Sequence, residues 1–77
     1  MNEIISLVTC RPGEKMRIAE LKTTDDKILQ KLAVFGILPG GEISVLQSRP
    51  AYVLQVEYTQ LAIDHLLAST IYGCKVK

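Results

Sequence analysis

Tryptophan is absent, phenylalanine occurs once and tyrosine three times in the 77-residue chain, so aromatic residues amount to 5%. So few leave little to line the aromatic groove that reads proline-rich segments once a core is filled, which argues against polyproline recognition. Histidine occurs only as His65, and the two cysteines, Cys10 and Cys74, lie far apart with no Cys-x-x-Cys spacing. Transition-metal sites draw on several such ligands, so no resident metal or cofactor is expected. Charge of one sign is also lacking: Lys and Arg total 9 against 8 for Asp and Glu, a net charge of +1. Holding nucleic acid by neutralising phosphates needs a strongly basic face, so no nucleic-acid partner is expected. No apolar run approaches the roughly 20 residues that cross a bilayer, which argues against direct membrane insertion. The start, Met1-Asn2-Glu3-Ile4-Ile5-Ser6, carries an acid where a secretory leader carries positive charge, so the expected location is the cytoplasm. In that reducing compartment Cys10 and Cys74 are expected as free thiols rather than a disulfide.

What is present is a high apolar content, 48% of residues, which argues against disorder. The length suits one small domain over residues 1–77 and leaves no room for a doubly wound sheet. Two Pro-Gly pairs, in Arg11-Pro12-Gly13-Glu14 and Pro39-Gly40-Gly41-Glu42, are turn signals, because proline presets its own φ and glycine accepts the left-handed region. Each leads into alternation of apolar and polar residues. Met16 and Ile18 among Lys15 and Arg17 predict a strand over 16–22, and Ile43 and Val45 predict another up to Ser48. Between them, Thr23-Thr24-Asp25-Asp26 offers capping side chains, and Ile28, Leu29, Leu32, Ala33 and Phe35 recur at helical spacing. An amphipathic helix is predicted over about 25–35, ended by Gly36 with Pro39 beyond. Near the N-terminus, Ser6-Leu7-Val8 reads as a short extended piece. The run from Tyr52 to Tyr58 is rich in aromatic and β-branched residues and predicts a strand. Thr59-Gln60 is then the connection to a short strand, Leu61-Ala62-Ile63. Asp64 caps a short helix over about 64–70 with Leu67 and Ala68 facing inward, and the chain closes on a strand from Ile71 to Val76. Five short strands in so short a chain suit a small, curved, mainly β barrel.

The segment Lys31-Leu32-Ala33-Val34-Phe35-Gly36-Ile37-Leu38-Pro39-Gly40-Gly41-Glu42-Ile43 resembles the signature of the ferrous iron transport protein A (FeoA) family. Leu32, Gly36, Pro39 and Gly40 carry that structural signature. Ser6-Leu7 followed by Pro12-Gly13-Glu14 looks like the family's opening, and Leu61-Ala62-Ile63, Ala68 and Ile71 look like its close. Gly73 departs, standing where the family's closing strand usually has valine or isoleucine. The resemblance implies a five-stranded SH3-like barrel with an inserted helix, and a cytosolic accessory role beside the membrane ferrous-iron transporter FeoB. The same module resembles the C-terminal domain of iron- and manganese-dependent repressors of the diphtheria toxin repressor group.

The weak metal candidates are His65, Cys10 and Cys74. Fe(II) sites usually combine two histidines with a carboxylate, or several hard oxygen ligands, so the ligand count does not support Fe(II) as a cofactor. A small Fe(II)-binding sensor or carrier stands as the alternative function, beside an SH3-like module that binds another protein or itself. Ser6, Ser44, Ser48 and Ser69 have no predicted relationship to the lone histidine, so no catalytic residues and no enzyme are expected. For partner binding, Leu38 sits in the connector Gly36-Ile37-Leu38-Pro39, and Arg17, Arg49 and Tyr52 suggest a polar and aromatic rim. Against these stand a Leu38 tucked under the helix end and a plainly solvated strand edge. The expected function is docking to the cytosolic domain of FeoB, with weak self-association.

Overall fold

The computed structural model describes residues 3–76. Met1 and Asn2, the start of the stretch read above for a leader, and Lys77 lie outside the described residues. The elements run in the order β1 (Ile5–Ser6), β2 (Lys15–Leu21), α1 (Asp26–Val34), β3 (Glu42–Gln47), β4 (Tyr52–Val56), β5 (Thr59–Ile63), α2 (His65–Ala68) and β6 (Ile71–Val76). The six strands form one antiparallel sheet in the order β1-β6-β2-β3-β4-β5. No ladder joins β5 to β1 among the described residues, so the sheet is open at both edges. The sixth strand is β1, where a longer extended piece reaching Val8 was expected. Ser6 instead accepts a hydrogen bond from the Val8 N–H at 3.3 Å, and Leu7–Thr9 coil into a single 3-10 turn that buries Leu7.

Helix α1 starts where the capping residues predict it. The Asp25 carboxylate accepts from the Lys27 N–H at 2.9 Å, satisfying a donor that has no partner inside the helix. Leu32 is fully buried, and Ile28 and Phe35 pack against the core from the same face. At the other end Ile37 N–H donates to Leu32 O at 2.8 Å and Gly36 N–H to Ala33 O at 2.9 Å, with Gly36 at φ +81°. That pair of bonds is the Schellman arrangement, and Leu32 and Ile37 supply its apolar contact as two fully buried core residues. A Cβ on Gly36 would meet only Val56 Cγ1 at an ordinary 3.6 Å, so the demand for glycine is backbone conformation, not space. Gly36→Val is expected to lower stability by more than about 1 kcal/mol. Urea unfolding measures it, and an unchanged midpoint would contradict this helix end.

Both Pro-Gly turns form as predicted, with Gly13 at φ +95° and Gly40 at φ +93°. Each also extends the pairing of β2 with β3. Gly13 N–H donates to Val45 O and Val45 N–H to Glu14 O, at 2.7 and 2.9 Å. At the other end Gly40 N–H donates to Ile18 O and Ile18 N–H to Gly41 O, both at 2.8 Å. The sequence echo between the two turns therefore reflects a reciprocal clasp, each turn gripping the strand that follows the other.

Two boundaries differ from expectation. The hairpin between β4 and β5 turns at Glu57-Tyr58 rather than Thr59-Gln60, with Glu57 in the left-handed region at φ 54°. Turning there matches all five residues of β5 to β4, from Val56↔Thr59 to Tyr52↔Ile63. A later turn would leave only Leu61–Ile63 to pair, a larger loss than the roughly 1–2 kcal/mol of a left-handed residue. Helix α2 is shorter than predicted because hydroxyls take over its last carbonyls. Ser69 Oγ donates to Leu66 O and Thr70 Oγ1 to Leu67 O, both at 2.7 Å, ending the helix at Ala68.

Candidate functional site

The metal candidates are not brought together. Cys10 is 4% exposed and belongs to the core, Cys74 is half-buried on β6, and both are free thiols. Burial, reinforced by the nearby Glu14 charge and opposed by Lys75, pushes the Cys10 thiol above its ordinary pKa and keeps it protonated. His65 is exposed at the start of α2, its ring 6.2 Å from that of Tyr52. Among the described residues no three His, Cys, Asp or Glu side chains are grouped so as to share a metal ion.

Glu14 is committed to a structural task. Its carboxylate accepts from the Arg11 N–H at 2.6 Å, closing the first Pro-Gly turn, and pairs with Lys75 on β6 at 2.9 Å. The turn N–H first and Lys75 second hold its pKa below the ordinary glutamate value. A depressed carboxyl contributes stability above its unfolded pKa, near 4.3, and that contribution is lost as pH falls through the lower folded value. Urea midpoints measured from pH 7 down to pH 3 are therefore expected to fall less steeply in Glu14→Gln than in wild type. Parallel acid limbs would contradict this assignment.

The partner candidates separate into three places. Arg17 on β2 reaches the second Pro-Gly turn, in which Leu38 lies: Arg17 Nη2 meets Glu42 Oε2 at 2.7 Å, and Nη1 reaches Gly40 O at 3.5 Å. Arg49, in the β3–β4 turn, lies beyond the far end of β3, roughly 17 Å along the strand from Glu42. Tyr52 corrects the expectation outright. It is 8% exposed and belongs to the core, because its side chain falls on the inward register of β4 with Leu54 and Val56. No rim joining Arg17, Arg49 and Tyr52 exists.

What shares one end of the sheet is a different set. The start of β3 and the turn after β4 lie at the same end of the sheet, as the register Ser44↔Gln55 and Val56↔Thr59 requires. The end of α1 comes to that same end, since Gly36 abuts Val56. Val34, Leu38 and Tyr58, on these three segments, are 84%, 50% and 100% exposed. The stretch Ala33–Gly41 contains no charged residue, and the Arg17–Glu42 pair flanks it. Leu38 was legible in the sequence; Val34 and Tyr58 were not singled out. The available signal for Val34 was an apolar residue off the stripe formed by Ile28, Leu32 and Phe35. Tyr58 was hidden by its assignment to a strand end.

The FeoA domain family model matches residues 5–73. A comparison with curated protein sequences gives no match. Among solved structures, an iron uptake regulatory protein (FeoA) is similar at a TM-score of 0.87 and 27% identity, covering 96% of this chain and 99% of that one. An FeoA-like protein from Clostridium acetobutylicum is similar at 0.83 and 20% identity, covering 100% and 93%. A manganese-dependent transcriptional repressor, solved with manganese, is similar at 0.90 and 19% identity. The match spans 99% of this chain but 38% of the repressor, and at that identity it shows a shared fold alone.

Proposed function

The chain belongs to the FeoA domain family, with its SH3-like fold and its involvement in ferrous iron transport, and from that premise we propose that it is a non-enzymatic accessory protein that docks to the cytosolic domain of the FeoB transporter. The observation that carries this is the exposed apolar end formed by Val34, Leu38 and Tyr58. Solvated apolar side chains on three adjoining segments, with an ion pair at their margin, match the make-up of a partner-binding surface: an apolar centre and a polar rim. Nothing about this end calls for a reaction. Its mechanism is differential binding, in which the protein alters transport only as far as it prefers one nucleotide or conformational state of FeoB.

The test is an anaerobic NMR titration with the cytosolic domain of FeoB in GDP and GTP-analogue states, with Fe(II) alone as a separate arm. Expected are shifts confined to 33–41 and 57–58 that differ in size between the two nucleotide states. Silence with FeoB overturns docking. Stoichiometric Fe(II) shifts without any FeoB response favour the sensor or carrier instead.

A further inference from the structure

Glu57 is a costly residue for the place it holds. It is the first of the two residues that turn β4 into β5, at φ 54°, and the second, Tyr58, has no positive φ. A positive φ at the first turn residue alone is the type II′ pattern, whose usual occupant is glycine. The ladder behind the turn explains why the backbone takes that conformation, but glycine would take it without steric cost. Nothing in the fold uses the glutamate side chain. The backbone carbonyl of Glu57 accepts from Gln55 Nε2 at 2.7 Å, a bond open to any residue at 57. Its side chain is exposed. The ion pairs among the described residues are Arg17–Glu42, Lys22–Glu20 and Lys75–Glu14, and none includes Glu57.

We propose that Glu57 is a specificity-determining residue of the docking end, a negative charge that pairs with a lysine or arginine on the cytosolic domain of FeoB; this rests on the docking reading above. The fold places the charge at that end. Tyr58, fully exposed, follows it directly, and Val56, just before it, abuts Gly36 at the close of α1. Arg17 and Glu42 neutralise each other at 2.7 Å, and Lys31, one turn back from Val34 on α1, makes no ion pair with Glu57. The apolar end therefore carries an uncompensated acid on its turn and a base on its helix, which gives a partner one electrostatically matched orientation. A strained residue whose side chain does nothing for the fold is accounted for by a contact outside it.

The test compares Glu57→Gln, which removes the charge alone, and Glu57→Gly, which removes charge and strain together, with wild type. Urea midpoints are measured, and association with the cytosolic domain of FeoB is followed at about 50 mM and about 500 mM salt, where screening is weak and strong. Both variants are expected to bind about three- to fivefold more weakly at low salt, with the gap closing at high salt. The Glu57→Gly midpoint is expected to rise above wild type, and that of Glu57→Gln to stay level with it. A Glu57→Gln protein with wild-type affinity and salt dependence overturns the proposal, and so does a Glu57→Gly protein less stable than wild type, which would show that the side chain serves the fold. Tyr58→Ser, measured alongside, separates the two readings. If it weakens binding while Glu57→Gln does not, docking stands without the charge; if the wild-type protein does not bind FeoB, both are overturned.

Discussion

Replacing Gly73 with valine is expected to remove most of the protein's stability and to leave a largely unfolded chain in modest denaturant. Gly73 lies in the middle of β6, opposite Ile18 of β2 on one side and Ile5 of β1 on the other. The β2–β6 register shifts between Ile18 and Glu20. Beside that shift, a Cβ on residue 73 would come within 2.1 Å of Arg17 O, with Arg17 C and Met16 Cγ each at 2.9 Å. The first two of these are backbone atoms of a paired strand and cannot swing aside. Relieving the overlap means separating β2 from β6 where the core depends on their pairing. Overpacking usually costs about 1–3 kcal/mol where side chains can yield, and here the main chain must move, so a loss above about 3 kcal/mol is expected. A domain of this length holds about 5 kcal/mol in all. Urea unfolding followed by circular dichroism measures the loss, and Gly73→Ala grades it, since its single methyl already meets the same carbonyl. A Gly73→Val protein with a wild-type midpoint would show that β6 does not run this close to β2.

Gly73 also marks where sequence reading reaches its limit. As a sequence it was a departure from the family's habit of a β-branched residue in the closing strand. The reason for it, an Arg17 carbonyl oxygen that already occupies the space a side chain at 73 would need, lies in a long-range crossing that no local pattern encodes.

Other features were legible because their causes are local. Asp25, Gly36 and the two Pro-Gly pairs each act through the backbone of their immediate neighbours, and each does in the fold what its residue type predicts. The β4–β5 turn was misplaced because it contains no glycine: Glu57 takes the left-handed conformation only since the full ladder behind it outweighs the cost. Tyr52 was misread for a related reason. An aromatic residue at the start of a strand suits a rim or a core equally, and only the register of β4 against β5 assigns it inward. The exposed end was half legible, because Leu38 follows from its turn while Tyr58 meets it only through the pairing of distant strands.

Tyr58→Ser is expected to weaken binding to the cytosolic domain of FeoB by about thirtyfold, the effect of losing an aromatic anchor worth about 2 kcal/mol. Leu38→Ser, which truncates a half-exposed side chain, is expected to cost about tenfold. Tyr58 is fully exposed in the free protein, so its substitution should leave stability within about 0.5 kcal/mol of wild type. Loss of binding by this variant therefore cannot be a folding defect, and equal urea midpoints check that. Arg49 supplies the contrast: it is exposed at the other end of β3, and Arg49→Ala should change affinity by less than about twofold if docking uses the Val34, Leu38 and Tyr58 end. The reverse pattern, with Arg49→Ala weakening binding and Tyr58→Ser neutral, would move the interface to the opposite end of the sheet. Measuring each variant against both nucleotide states adds the mechanistic step. A side chain that merely holds the complex together lowers affinity equally in both, whereas one through which the protein senses FeoB lowers it more in the preferred state and narrows the ratio on which any regulation depends.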